Sequence, residues 1–214
     1  TEPRQMEQVL DVYEKPLDVD HPVVCVDEAS RQLIAEIALP IPMEPGQPER
    51  FDYEYRRNGT VNLFMAFQPL LGFREVVVTD RRTSMDFAAF LKYLVDVIYF
   101  SATRLTIVLD NLNTHFRKSF DDVMGKRAAA KLLRRVQFHY TPKHGSWLNI
   151  AENELSSMTR QCVMRRRFAT IEKLREQTTA WHQHSNARQR GVDWQFKVDD
   201  ARVKLKSVYP KIEV

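Results

Sequence analysis

The sequence predicts an α/β domain: a mixed sheet with helices packed on its faces. Three observations carry this. Short apolar runs with β character come first and then alternate with amphipathic helical stretches. No internal repeat interrupts that order, and no linker is long enough to divide the 214 residues. The composition is globular, with 43% hydrophobic and 28% charged residues.

The elements read in order as follows. "HPVVCVDEAS" is a short buried strand, Val23 to Val26, ending on Asp27, and "RQLIAEIAL" is its partner. "PIPMEPGQPE" (40–49) holds four prolines and a glycine and is a loop. "GTVNLFMAFQP" and "REVVVTD" (74–80) are further strands. "TSMDFAAFLKYLVDVIYF" is helical, because Phe87, Phe90, Leu91 and Leu94 recur at helical spacing. Thr83 is its cap, with Asp86 three residues on as in a capping box. "RLTIVLD" (104–110) is a second buried strand ending on an aspartate. "GKRAAAKLLRR" is a helix, "VQFHYTP" a strand and "WLNIAENELSSMTRQ" a helix, with more helices at 171–184 and 197–207. The span 1–214 is read as one domain, with an N-terminal extension over 1–20 and a helical C-terminal part over 160–214.

Several function classes drop out. No run approaches the roughly 18 apolar residues needed to span a bilayer. The N-terminus lacks the apolar core of a secretory signal. Cys25 and Cys162 make no disulfide framework and suit a reducing cytosol. The net charge of +4 is a mild basic bias. Its distribution says more: "KRAAAKLLRR" (126–135) and "RQCVMRRRF" (160–168) are basic clusters that attract polyanions, or else solvated faces.

Three carboxylates stand out. Asp27 and Asp110 each end an apolar run. A carboxylate there starts a turn, or serves a site at the sheet edge. Asp80 also ends such a run and is the rival to Asp110. Glu152 lies about 40° from Leu148 and about 60° from Leu155 on a helical wheel, with Glu154 about 200° away from it. Glu152 is therefore expected on the apolar face with Ala151 and Met158, towards the sheet, and Glu154 towards solvent. A core-side glutamate calls for a metal, a catalytic role, or an ion pair with Arg160 or Arg165. Three converging carboxylates suit Mg²⁺, and two such ions suit phosphodiester transfer.

These residues resemble a known family. Asp27 in "VVCVDE", Asp110 in "IVLDNLNTH" and Glu152 in "TPKHGSWLNIAE" look like the DDE triad of mariner-superfamily transposases, in particular the bacterial insertion-sequence branch, family six-thirty. Asp110 and Glu152 have 41 residues between them, within that branch's variable range. "YEYRRNGTVNLFMAF" (53–67) resembles its third-strand region and "WQFKVDDARVKLKSVYP" (194–210) its C-terminal end. The resemblance runs from about residue 20 to 210.

The resemblance implies an RNase H-like, integrase-type fold with a mixed five-stranded sheet flanked by helices. It implies metal-dependent DNA cleavage at transposon ends and strand transfer into target DNA, typically at a TA dinucleotide. Asp27, Asp110 and Glu152 carry over as ligands of two Mg²⁺ ions, with Mn²⁺ as a substitute, and Asp110 bridges them. DNA as partner, a homodimer on paired ends and the bacterial cytoplasm or nucleoid follow from the same resemblance. The family's helix-turn-helix modules are expected to be absent, or on a separate product. A decayed or domesticated DNA-binding domain, and an RNase H-like nuclease without strand transfer, are the alternatives.

Further candidates surround the triad. His115 and His144 are expected to contact phosphate or a metal-bound water, or to make structural hydrogen bonds. Lys143, Ser146 and Asn149 are candidates for the DNA backbone, or for loop and capping roles. Arg165, Arg166 and Arg167 belong to the second basic cluster. His182 and His184 resemble half a metal site with no second cluster. Trp147, Trp181 and Trp194 read as core or helix anchors.

Overall fold

The computed structural model describes residues 2–37, 41–48, 50, 54–110, 116–164 and 166–205. Five strands form one sheet in the order β3-β2-β1-β4-β5. They are β1 (Val23–Glu36), β2 (Tyr55–Gln68), β3 (Phe73–Thr79), β4 (Leu105–Leu109) and β5 (Val136–Tyr140). β1 pairs antiparallel with β2, and β2 with β3. β4 runs parallel to β1 on one side and to β5 on the other. This is the mixed five-stranded sheet of the RNase H-like fold.

Among the described residues, seven α-helices cover the sheet: α1 (Glu2–Tyr13), α2 (Ser84–Tyr93), α3 (Phe116–Met124), α4 (Lys126–Arg134), α5 (Ile150–Met158), α6 (Ile171–Ala187) and α7 (Val198–Lys204). Side chains alternate along a strand, so each face has its own core. Val24 and Val26 face one cluster, with Phe87 and Leu91 of α2, Phe120 of α3 and Leu132 of α4. Cys25 faces the other, with Leu10 of α1, Leu155 of α5, Leu174 of α6 and Ala201 of α7.

The capping box at α2 forms as expected, with Thr83 and Asp86 bonding reciprocally. Four expectations need correction. The two strands expected at 23–26 and after residue 30 are one 14-residue strand that bends at a register shift between Gln32 and Ile34. Asp27 is thus inside a strand. The N-terminal extension over 1–20 holds a helix that was not expected: α1 buries Met6, Val9, Leu10 and Tyr13, and Tyr13 Oη donates to the Leu148 carbonyl at 2.6 Å. α3 was not expected at all. Finally, the helix expected from Trp147 begins only at Ile150, behind a tight turn over Ser146–Leu148, with Asn149 as its cap.

Candidate active site

β1 and β4 part company just where the aspartates stand. Their last paired residues are Cys25 and Val108. Two residues further along each strand come Asp27 and Asp110, on neighbouring strands spaced about 4.8 Å apart where paired. Alternation places Asp27 on the same sheet face as Cys25, which is the face that carries α5. Asp27, Glu28, Asp110, Ser146, Glu152 and Arg160 line one open cleft of about 710 Å³. The three predicted carboxylates are therefore brought together. Asp80 is exposed beyond edge strand β3, two strands from β1.

Each carboxylate is held differently. Asp27 Oδ1 accepts from the Glu28 N–H at 2.8 Å. Burial pushes its carboxyl up to about 6 against that hydrogen bond, and the charges of Asp110, Glu152 and Glu28 push the same way. Asp110 Oδ1 accepts from Thr141 Oγ1 at 2.8 Å, and Thr141 is itself anchored by its N–H to the Leu109 carbonyl. Glu152 sits in the first turn of α5 and is exposed to the cleft. Glu28 pairs with Arg82 at 3.4 Å, and burial raises its carboxyl as well.

The wheel placed the two glutamates wrongly. Leu148 precedes the cap and lies outside α5, whereas Ile150 is its first residue and is buried. On the true helix Glu154 is about 40° from both Ile150 and Met158, in the middle of the apolar face. Its side chain is 13% exposed and pairs with Arg74 of β3 at 2.6 Å. Glu152 lies at the margin of that face, aimed into open space. The sequence raised a buried ion pair of Glu152 with Arg160 or Arg165; the buried pair on this helix instead joins Glu154 to Arg74.

The other candidates divide. Lys143, His144 and Ser146 are exposed on the turn before α5. Asn149 is buried at 1% and cannot reach DNA: its Oδ1 accepts from Ala151 N–H, and its Nδ2 donates to the Val26 carbonyl at 3.0 Å. It ties the start of α5 to the strand residue before Asp27. Arg166 is exposed and bonds Gln177, while Arg167 pairs with Glu36 at 2.7 Å and stacks over Tyr55. His115 and Arg165 lie outside the described residues. His182 is buried against β3, where its Nδ1 accepts from Val76 N–H, and His184 is exposed. Trp147 is 43% exposed and stacks on Trp194, whereas Trp181 donates to Gln161.

Thr141 and Glu28 escaped the sequence reading. Thr141 follows β5 as Asp110 follows β4, and Leu109 pairs with Tyr140. The signal was there only once the two strands were in register.

Carboxylate oxygens suit a hard divalent cation. Among the described residues no three acidic, histidine or cysteine side chains stand close enough to hold one ion together. The donor set nevertheless fits such a cation. Asp27 is desolvated and repelled by its neighbours, a condition that bound positive charge relieves.

Fold and site together define an RNase H-like domain with an acidic cleft where two parallel strands separate. A family model for DDE superfamily endonucleases matches residues 22–175, and the chain belongs to that family. No curated protein sequence matches it. Among solved structures, a pre-cleavage Mos1 transpososome is similar at 15% identity and TM-score 0.57, covering 100% of this chain and 65% of that one. The Mos1 mariner paired-end complex with Mn gives 15% identity, TM-score 0.53, and 87% and 58% coverage. The paired-end complex with Mg gives 14%, 0.54, and 95% and 60%. The chain thus spans less than two thirds of the length of each. No helix among the described residues is long and apolar enough to cross a membrane.

Proposed function

We propose that the chain is the catalytic domain of a mariner-superfamily DDE transposase, of the bacterial insertion-sequence branch. It cleaves DNA at transposon ends and joins the freed 3′-OH to target DNA, at TA sites. One observation carries the reading: in a chain of the DDE endonuclease family, the three carboxylates named by motif line a single cleft.

Asp27, Asp110 and Glu152 would hold the divalent ions, Mg²⁺ or Mn²⁺. Two bound ions supply charge for the attacking and the leaving oxygen of an in-line displacement. The chain's own residues prepare the place. Thr141 fixes one face of the Asp110 carboxylate. Asn149 fixes the N-terminus of α5, and so the height of Glu152 above β1. Ser146 lines the cleft and Lys143, His144 and Arg166 are exposed, and these four are the candidate DNA contacts. Arg127, Lys131 and Arg134 recur on one face of α4, and with Lys126 they offer a basic surface for a phosphate backbone. The similar Mos1 structures are paired-end complexes, which supports paired DNA ends and a homodimer here. Action on DNA supports a location in the bacterial cytoplasm or nucleoid.

The test is cleavage and strand transfer on supercoiled DNA with Mg²⁺ or Mn²⁺. Asp110→Asn and Glu152→Gln should each abolish both steps. Activity in EDTA, or full activity of either variant, would refute the reading. Nicking without joining would leave a nuclease, not a transposase.

A further inference from the structure

We infer that Arg82 forms a separate phosphate subsite, which binds the phosphodiester next to the scissile one in the cleaved strand. The inference rests on the function proposed above. A recess of about 310 Å³ adjoins the cleft and shares Asp27, Glu28 and Asp110 with it. The rest of its lining is Arg82 and an apolar wall of Val26, Phe87 and Leu109. That wall belongs to the core on the α2 face of the sheet, whereas Leu155 of the cleft belongs to the core on the α5 face. The carboxylates therefore stand on a divide between two hollows, one on each face. A DNA strand laid across that divide at its scissile phosphate sends one neighbouring phosphate to each side. On the α2 side, Arg82 is the one lysine or arginine among the described residues that lines the recess.

The chain explains how Arg82 comes to be there. It leaves edge strand β3 at Thr79, and β3 lies two strands from β1, about 10 Å at the usual strand spacing. Arg82 directly precedes Thr83, the cap of α2. The Thr83 N–H donates to Asp86 Oδ2 at 2.8 Å and the Asp86 N–H donates back to Thr83 Oγ1 at 3.2 Å, which fixes the backbone beside Arg82. Phe87, in the same first turn of the helix, is buried and walls the recess. From that fixed point the long arginine side chain reaches over β2 towards β1, where its Nε stands 3.4 Å from Glu28 Oε1.

The pair with Glu28 is loose. The Arg82 side chain is 59% exposed, and exposed pairs of this kind add little to stability. A phosphate is the better partner, because the planar guanidinium fork meets two of its oxygens at once. Glu28 thus keeps the guanidinium over the recess while no DNA is bound, and yields it to the strand. The apolar wall beneath suits the sugar of the same nucleotide.

The test uses a duplex oligonucleotide carrying one element end. In EDTA, Arg82→Gln should weaken binding and lower the slope of log affinity against log salt by about one, the loss of one phosphate contact. With Mg²⁺ under single turnover it should slow cleavage about tenfold, because the strand is less well placed. Arg82→Lys keeps the charge without the fork, so it should keep the salt slope and recover part of the rate. Neutral methylphosphonates are then placed one at a time at the two phosphates that flank the scissile one. One of the two should slow wild type, and that penalty should disappear in Arg82→Gln. Arg81→Gln, at an exposed arginine outside the recess, is the control for general charge. An unchanged salt slope, a flanking penalty that persists in Arg82→Gln, or an equal loss in Arg81→Gln overturns the inference. If Arg82→Gln melts well below wild type, the same scan with Arg82→Lys decides, since loss of its salt slope overturns the inference too. If wild type cleaves no DNA at all, the proposed function fails and this inference fails with it, a result distinct from active wild type with an unaffected variant.

Discussion

Arg74 of β3 donates from Nε to Glu154 Oε2 of α5 at 2.6 Å, beneath the helix that carries Glu152. The same guanidinium donates to the carbonyls of Gly72 and Arg190 and lies 4.7 Å from the centre of the Phe67 ring. One arginine therefore joins edge strand β3, helix α5 and the segment after α6. Breaking such a buried pair strands a charge, at a cost of about 3–5 kcal/mol. Glu154→Gln should lower the unfolding free energy by about 3 kcal/mol in urea titration. A surface glutamate would cost almost nothing, so an unchanged midpoint would refute the buried role.

Thr141 is the second shared anchor. Its hydroxyl holds Asp110 at 2.8 Å, and a lost hydrogen bond to a charged group is worth about 1.5–3 kcal/mol. Thr141→Val should reduce the cleavage rate by at least about tenfold while Thr141→Ser keeps it near wild type. Equal rates for Val and Ser would show that the contact does not orient Asp110.

The mixed sheet, the α2 cap and the three motif carboxylates were legible in the sequence because each depends on local pattern. Val-rich runs read as strands, and "TSMD" reads as a cap. What failed depended on tertiary partners. Glu154 reads as a surface residue until Arg74, 80 residues away in sequence, is brought beneath it. The wheel also went wrong by one cap: Asn149 stops the helix short of Leu148, and that single boundary rotates which glutamate appears buried. α1 carries five apolar residues in the nine of "QMEQVLDVY", but only its docking on Cys25 and Leu148 shows what Val9, Leu10 and Tyr13 pack against. Long-range register, which pairs Leu109 with Tyr140, carries no sequence signal at all.

Asn149 offers a clean separation of structure from DNA contact. It caps α5 and bonds the Val26 carbonyl while fully buried. Asn149→Ala should cost about 1–2 kcal/mol of stability from the cap. It should also slow cleavage by loosening α5 against β1, yet leave duplex affinity and its salt dependence unchanged. A reduced salt slope would mean that Asn149 touches phosphate after all.

Asp27 gives the pH prediction. Its folded carboxyl is raised to about 6 from an ordinary 3.8, so the fold favours the protonated form. Stability from this group is then fully present below about pH 4 and lost as pH rises through about 6. At pH 7 in EDTA the ionised carboxylate is a burden, desolvated and facing Asp110 and Glu152. Asp27→Asn should therefore be more stable than wild type there, by on the order of 1–2 kcal/mol, while abolishing cleavage. The gain should vanish near pH 4. Added Mg²⁺ should raise the melting temperature of wild type and not of Asp27→Asn, because the cation replaces the proton as the neutralising charge. A destabilised Asp27→Asn at pH 7 in EDTA would mean that this carboxylate stabilises the fold and that the cleft is not built around opposed negative charge.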